Sequence, residues 1–193
     1  FDWCVENHID VQVLINNVGL GSTGSFEDTT LDFDISLVKL NIFPMIQLTK
    51  LYLPVLKKFD SSYILNMSSL GSLRPIPYKA LYSASKTFIY SFSRAISSEL
   101  KEDAVYVSVS CPAGVYTNEA AVKRIKVSGK IGIWTSLDAD IVAKYIVNGM
   151  LNGKRLIIPG IGAKLLMILM KLLPENLNRW MVGRNMKRNR SAV

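Results

Sequence analysis

SSYILNMSSLGSLRPIPYKALYSASK, at residues 61–86, is the stretch of sequence that decides the fold class. The apolar run at 62–68 predicts a buried strand, and the Gly, Pro and Ser residues at 70–78 predict a loop. A long helix pattern follows at 79–101. A buried strand that leads into a helix of this length is typical of a parallel sheet covered by helices on both faces.

The alternation of strand and helix patterns continues on both sides of this stretch. Further strands are predicted at 11–16, 105–110 and 155–159, and further helices at 31–59, 138–152, 163–173 and 175–188. The sequence therefore predicts an α/β fold with a doubly wound parallel sheet. In such a sheet the functional site lies beyond the carboxyl ends of the strands, where the polar or glycine-bearing loops 16–21, 68–72 and 112–117 would meet.

Tyr82 and Lys86 form the first candidate pair of chemically active residues. They are four residues apart at the start of a predicted helix, so one turn places both side chains on the same face. An ammonium near a phenol favours the phenolate, which predicts a lowered pKa for Tyr82 and a role as general acid or base. A Tyr and a Lys at this spacing also occur together by chance in many helices.

Ser69 strengthens the case because it lies at the end of the preceding predicted strand. Its hydroxyl would hydrogen-bond a substrate carbonyl oxygen while Tyr82 delivers a proton. Ser68 is a competing choice for this role. A serine at such a position also commonly caps a turn, and that alternative stays open.

Several motifs in a shared order resemble those of the short-chain dehydrogenase/reductase family. They are NNVG at 16–19, KLN ending at Asn41, NMSS at 66–69, YSASK at 82–86 and CPAGVYT at 111–117. Over residues 11 to about 120 the chain is identified as a member of that family. The resemblance implies a Rossmann-like fold and an oxidoreductase that interconverts a ketone and a secondary alcohol with NADP or NAD, with NADP favoured.

The resemblance also implies a role for each matching residue. Tyr82 would be the acid/base, Lys86 would lower its pKa and hold the nicotinamide ribose, and Ser69 would polarise the carbonyl. Asn41 would hold a water in a proton relay, the alternative being a helix-interior Asn bonded to nearby backbone. Cofactor-binding positions are implied at Tyr82 and Lys86, at Asn16 and Gly19 near the adenosine side, and at Pro112, Ala113, Gly114, Val115 and Thr117 beside the nicotinamide.

Two features depart from the family pattern. Ala113 stands where the family usually has glycine, and the sequence has no TGxxxGxG turn to hold the cofactor pyrophosphate. GLGSTG at 19–24 is no substitute, because no helix pattern follows it at once. We therefore expect residues 1–193 to be one partial Rossmann-like domain, the C-terminal portion of the fold, inactive on its own. A non-catalytic remnant or binding module is the alternative.

Composition restricts the other classes of function. His8 is the single histidine and lies upstream of the first strand, so neither a His-rich metal site nor a Ser69-based hydrolase is expected, and no metal is predicted. Cys4 and Cys111 form no disulfide framework and fit a reducing, cytoplasmic location. Most of the net charge of +8 comes from 164–190. A basic face with interleaved aromatics is not evident, so no nucleic-acid partner is expected.

Residues 161–193 are predicted to be a helical C-terminal extension that is first apolar and then basic. The apolar part, 165–173, is shorter than the roughly 20 residues that span a bilayer. The apolar segment 160–173 favours an apolar or lipid-like substrate. Together with the basic, Trp180-bearing part, the apolar part fits peripheral contact with an anionic membrane through 163–190. The alternative is a lid over the substrate pocket, followed by a solvated tail.

A homodimer is the expected assembly of the full-length protein. Similar proteins pair through the helices that correspond to 31–59 and 79–101. In the second of these, Phe88, Phe92 and Ile96 recur every four residues and form an apolar stripe. Ordinary packing of this stripe against the sheet is the alternative.

Overall fold

The computed structural model describes residues 1–174 and 176. In chain order the elements are α1 (Asp2–Glu6), β1 (Val13–Asn16), α2 (Leu31–Leu56), β2 (Ser62–Met67), α3 (Ala80–Glu99), β3 (Val105–Ser110), β4 (Val115–Tyr116), α4 (Glu119–Val127), α5 (Gly129–Thr135), β5 (Leu137–Asp138), α6 (Ala139–Leu151), β6 (Leu156–Ile157) and α7 (Ile161–Leu172). Single 3-10 turns lie at Phe26–Asp28 and Leu70–Ser72.

The central sheet has the strand order β1-β2-β3-β6, and all of its strands are parallel. One hydrophobic cluster joins the sheet to α2 and α3, and a second joins it to α6 on the opposite face. The predicted α/β fold with a doubly wound parallel sheet is therefore confirmed. Because the strands are parallel, their carboxyl ends lie at one edge, where Asn16 pairs with Asn66 and Met67 pairs with Ser110.

The segment between β3 and α6 contains structure that the sequence patterns did not predict. The two-residue strands β4 and β5 pair in parallel, and α4 and α5 lie between them in the chain. Asn118 caps α4, because its side-chain oxygen accepts a hydrogen bond from the Ala121 backbone N–H at 2.9 Å. Strands and helices this short carry too few residues for a hydrophobic period, so pattern analysis does not detect them.

Helix α7 packs directly on the domain core. Its buried Ala163 belongs to a cluster with Leu70, Val109, Cys111 and Ile158. Residues 161–172 are thus part of the domain rather than an appendage to it. The helix predicted at 175–188 lies outside the described residues, apart from one position.

Candidate active site

The three residues predicted to carry the chemistry lie at the carboxyl edge of the sheet. Ser69 follows β2 directly, and Tyr82 and Lys86 lie in the first two turns of α3. The loop between β2 and α3 is tied back to the sheet, since the Leu70 backbone N–H donates to the Pro112 carbonyl at 2.8 Å. This tie brings the segment after β2 against the segment after β3.

Lys86 is fixed to the end of β2. Its Nζ donates a hydrogen bond to the Met67 carbonyl oxygen at 2.9 Å, and the residue is buried. Burial lowers the pKa of Lys86 to about 8. An ammonium has three N–H donors, and Met67 uses one of them, so this side chain is held in place and still has hydrogen-bonding capacity.

Tyr82 has a raised pKa, which corrects the prediction from sequence. Burial is the largest cause, and the neighbouring Ser69 hydroxyl and the charge of Arg124 oppose it by lowering the pKa. Lys86 was expected to provide the lowering, but its ammonium is bonded to Met67 instead. In this structure Tyr82 is therefore a protonated phenol at neutral pH, ready to act as an acid.

The two neighbouring serines have separate tasks. Ser68 is buried and donates its hydroxyl hydrogen to the Lys86 carbonyl oxygen at 2.7 Å, so it joins β2 to α3. Ser69 accepts a hydrogen bond from the Gly71 backbone N–H at 3.1 Å and caps the 3-10 turn there. Because Ser69 accepts this bond, its own hydrogen can be donated to Tyr82 or to a carbonyl oxygen. Turn capping and a place in the site are thus compatible at Ser69.

Asn41 holds the loop that follows β1. Its Oδ1 accepts from the Leu20 backbone N–H at 2.6 Å, and its Nδ2 donates to the Leu20 carbonyl at 3.0 Å and to Ser85 Oγ at 2.9 Å. The alternative of bonding to nearby helix backbone is not observed, because Leu20 is 21 residues away in sequence. A proton-relay role for Asn41 stays a prediction, and the geometry shows a loop-positioning contact.

Gly19 lies beside Lys86. A Cβ at this position would be 3.0 Å from Lys86 Nζ and 3.4 Å from Asn41 Oδ1. Glycine therefore allows the backbone after β1 to approach Lys86 closely. Among the predicted cofactor positions, Gly19 is thus on the side where Lys86 was expected to hold the nicotinamide ribose.

Asn16, by contrast, points into the protein. Its Nδ2 donates to Asn66 Oδ1 at 2.8 Å, and Asn66 Nδ2 donates to Ser93 Oγ at 2.9 Å. This chain of hydrogen bonds connects β1, β2 and α3. The Asn16 side chain thus stabilises the sheet edge. A ligand at this edge would contact the backbone that follows Asn16.

The predicted nicotinamide loop, 112–117, is folded around Gly114. A Cβ at Gly114 would collide with Ser136 Oγ and approach Ile125 at 3.0 Å, so only glycine allows α4 and the segment before β5 to pack this closely. The Gly114 carbonyl accepts from the Leu137 backbone N–H at 3.2 Å. Of the remaining predicted positions, Pro112 is buried, Ala113 and Val115 are half-buried and Thr117 is exposed.

Two cations beside Tyr82 were not identified from the sequence. Lys79 is the N-cap of α3, and its Nζ is 5.3 Å from the centroid of the Tyr82 ring. Burial and the charge of Arg124 lower the pKa of Lys79 to about 8. Lys79 could have been found from its spacing, since it precedes Tyr82 by three residues. Arg124 lies on α4, and its charge acts on Lys79 and Tyr82 because of how that helix packs, which no local signal specifies.

A cavity of about 200 Å³ adjoins the start of α3. Its lining residues are Ser22, Gly24, Ser25, Phe26, Thr29, Asp34, Pro77, Tyr78, Ala80 and Leu81. The loop after β1 is hydrogen-bonded across the cavity to the segment before α3, because the Gly24 N–H donates to the Tyr78 carbonyl at 2.9 Å. Tyr78 has a φ of 64°, a strained conformation for a residue with a side chain.

Comparison with known proteins identifies the family of this chain. The family model described as short chain dehydrogenase matches residues 1–127. Ketoacyl reductase HetN of Nostoc sp. is 32% identical over 140 residues, which cover 72% of this chain and 49% of that protein. The very-long-chain 3-oxoacyl-CoA reductase of Neurospora crassa is 34% identical over 118 residues, which cover 60% of this chain and 36% of that protein.

The solved structures show the same fold. A 7beta-hydroxysteroid dehydrogenase has a TM-score of 0.78 and 19% sequence identity, covering 89% of this chain and 66% of that chain. The present chain spans about a third to a half of the length of the curated relatives that it matches.

Proposed function

The chain belongs to the short-chain dehydrogenase family, and from this premise we propose that it provides the catalytic residues of an NAD(P)-dependent oxidoreductase. The reaction is the interconversion of a ketone and a secondary alcohol. The observation that carries the proposal is the meeting of Ser69, Tyr82 and Lys86 at the carboxyl edge of the sheet. Ser69 and Tyr82 come from different elements, yet the Ser69 hydroxyl is close enough to act on the phenol.

The residues present fit the nicotinamide ribose of the cofactor. Gly19 has no side chain to obstruct the approach to Lys86. Lys86 is held by Met67 through one N–H and has further N–H groups for ribose hydroxyls. The sequence has no TGxxxGxG turn for the pyrophosphate, so the fit concerns this half of the cofactor. We propose NADP as the preferred form, as the family resemblance favours.

Each of the three side chains has a distinct task in the reaction. The bound cofactor supplies or accepts the hydride. Ser69 donates its hydroxyl hydrogen to the substrate oxygen and polarises the carbonyl. Tyr82 donates the proton that completes the alcohol, and its raised pKa keeps that proton in place at neutral pH. Lys86 orients the cofactor through the N–H groups that Met67 leaves unused.

An apolar ketone is the substrate that we propose. The cavity beside α3 is bordered by Phe26, Pro77 and Leu81, which suit an aliphatic chain or ring system. The relatives are named for ketoacyl and 3-oxoacyl-CoA reduction, and the structural neighbour for a hydroxysteroid. These names support a lipid-like substrate for the whole protein.

The test uses the protein expressed from its complete reading frame. NADPH or NADH consumption is followed with a steroid ketone, an oxoacyl thioester and a small ketone. We expect ketone-dependent oxidation of the cofactor, reduced about 10²–10⁴-fold by Tyr82→Phe, which removes only the acid/base hydroxyl. Tyr106→Phe is the matched control, because Tyr106 lies on β3 and stacks on Tyr63 outside the site.

A non-catalytic binding role is the alternative to this enzyme function. The same protein distinguishes the two by calorimetry. Micromolar binding of NADPH together with ketone turnover supports the enzyme. Absence of both in the protein from the complete reading frame would establish the remnant.

We propose that the protein forms a homodimer through α2 and α3. Phe43 on α2 and Phe88 on α3 are 53% and 39% exposed, and Phe88 stacks on Phe92 at 6.1 Å between ring centroids. Ile96, the third residue of the predicted stripe, packs instead against the core cluster beneath α2 and α3. Sedimentation velocity should show a dimer that Phe43→Glu converts to monomer. A wild-type monomer at working concentration would contradict the proposal.

We also propose peripheral contact with an anionic membrane. Large apolar side chains are exposed on α5 and α7, namely Ile131, Ile133, Trp134, Ile161, Leu165, Ile168, Leu169 and Leu172. Across the described part of the chain, no helix has the length and apolarity needed to cross a membrane. We expect co-sedimentation with anionic vesicles at low salt, weakened by Trp134→Ser and by high salt. Protein that stays in the supernatant at low salt would refute this contact.

A further inference from the structure

Lys79 and Lys86 flank Tyr82 on opposite sides along the axis of α3. Residues three before and four after a given position lie on the same helical face, about one turn away in each direction. Lys86 is on the side of the loop containing Gly19, where we placed the nicotinamide ribose. Lys79 is on the other side, at the amino-terminal end of α3. Because the cofactor would occupy the Lys86 side, the Lys79 side is left for the substrate.

Arg124, in the last turn of α4, adds a second positive charge. The residue after it, Ile125, packs over Gly114, which places the last turn of α4 across the loop that follows β3. The Arg124 charge acts on both Lys79 and Tyr82. Two cations near each other repel, and a bound anion between them would replace that repulsion with two attractions.

Carboxylates of the protein do not neutralise this pair within the described residues. The salt bridge found there is Lys57 with Asp103 at 3.0 Å, at the opposite end of β3. Asp34 lines the cavity, and within the described residues it forms no salt bridge with Lys79 or Arg124. The positive charge beside Tyr82 is thus available to a ligand.

We propose that the substrate carries an anionic group, a carboxylate or a phosphate, and that Lys79 and Arg124 bind it beside Tyr82. This inference rests on the proposed function and specifies its substrate class as an apolar ketone with a charged end. The apolar part then extends toward the cavity beside α3, and the anionic end lies against Lys79 and Arg124. Lys79 and Arg124 are then the residues that determine specificity for charge.

The phosphates of the cofactor are an alternative source of the same anionic chemistry. Binding of either anion would use the same two side chains, but the kinetic consequences differ. Loss of substrate recognition changes the preference between charged and neutral ketones. Loss of cofactor recognition instead raises the KM for NADPH with every ketone alike.

The experiment compares an oxo fatty acid with its methyl ester, which share the reacting ketone and differ in one charge. Values of kcat/KM are measured at pH 7, where Lys79 is mostly protonated, in the protein from the complete reading frame. A hydrogen bond to a charged group contributes about 1.5–3 kcal/mol, so we expect the acid-over-ester ratio to fall about tenfold or more in Lys79→Gln and in Arg124→Gln. Lys144→Gln on α6 removes an exposed charge elsewhere and should leave the ratio as in the wild type.

Each result has a defined meaning. Equal use of acid and ester by the wild type, or an unchanged ratio in both variants, would overturn the inference while leaving the proposed function intact. A rise in the KM for NADPH with an unchanged ratio would assign the cations to the cofactor and also overturn the inference.

If no ketone is reduced, the proposed function fails, and calorimetry of the oxo fatty acid and its ester decides the anion site independently. Binding of the acid that both variants weaken supports the site, and binding that they leave unchanged refutes it.

Discussion

The two sides of Tyr82 along α3 differ in how their polar groups are satisfied. On the Lys86 side the side chains bond to backbone, since Lys86 donates to Met67 and Asn41 binds both backbone groups of Leu20. On the other side, Lys79 lies over the Tyr82 ring, without a carboxylate partner in the described part of the chain. The Lys86 side is held by hydrogen bonds within the protein. On the Lys79 side, the positive charge can be neutralised by a ligand.

This difference separates chemistry from specificity. Buried side chains that are hydrogen-bonded to backbone are held in one arrangement, as proton transfer requires. Exposed cations on a short helix such as α4 can be replaced without disturbing the sheet edge. We therefore expect substitutions on the Lys86 side to change rate or stability, and substitutions on the Lys79 side to change which substrate is used.

The largest effect that would sharpen this comparison is expected at Ser69. Ser69→Ala removes the hydroxyl that we propose to polarise the carbonyl, and loss of one such donor costs about 10²–10³-fold in kcat. The measurement is the ketone reduction rate at saturating substrate. The turn should persist, because the tie between Leu70 and Pro112 uses backbone atoms alone.

Ser68→Ala is the matched control, because it removes a hydroxyl from the adjacent position. Ser68 bonds the Lys86 carbonyl and contacts no reacting atom, so we expect a loss of about 1 kcal/mol in the free energy of unfolding with kcat kept within a few fold. If Ser68→Ala abolished turnover and Ser69→Ala did not, the assignment of the two serines would be reversed.

A smaller effect is expected at Asn41, and it bears on the claim that the Lys86 side is fixed by the protein. Asn41→Ala leaves the Leu20 N–H and carbonyl without their partner, and a buried group left unsatisfied costs about 1–3 kcal/mol. Denaturant unfolding measures this loss. Asn148→Ala, at an exposed position of α6, should change stability by less than about 0.5 kcal/mol. Equal values for the two variants would show that Asn41 does not hold the loop.

The same comparison explains how much the sequence could predict. The spacing of Tyr82 and Lys86 and the strand before Ser69 are local signals, and the structure places these residues together at the predicted edge. The predicted lowering of the Tyr82 pKa was wrong, because the shift depends on burial and on which oxygen Lys86 binds. Arg124 could not be predicted, because α4 is positioned by contacts across Gly114 rather than by its own periodicity.

The smallest expected effect is a shift in the pH dependence of alcohol oxidation, caused by the action of the Arg124 charge on Tyr82. Alcohol oxidation requires the phenolate, so the rate should rise with pH toward the raised pKa of Tyr82, above the ordinary value of 10.0. The Arg124 charge lowers that pKa, and Arg124→Gln should therefore raise it further and move the rise to higher pH. Arg124 is exposed and its charge is screened by solvent, which limits the shift to less than about one pH unit.

A neutral secondary alcohol is the substrate for this measurement, so that charge recognition does not contribute. Rates are compared between pH 7 and 10 in the wild type, in Arg124→Gln and in Lys123→Gln, which removes the same charge from the neighbouring position of α4. We expect Lys123→Gln to follow the wild-type profile, because Lys123 is not among the groups that act on Tyr82. Superimposable profiles for the two variants would show that Arg124 has no electrostatic influence on the phenol. The placement of Arg124 beside Tyr82 and its proposed part in anion binding would then both be wrong.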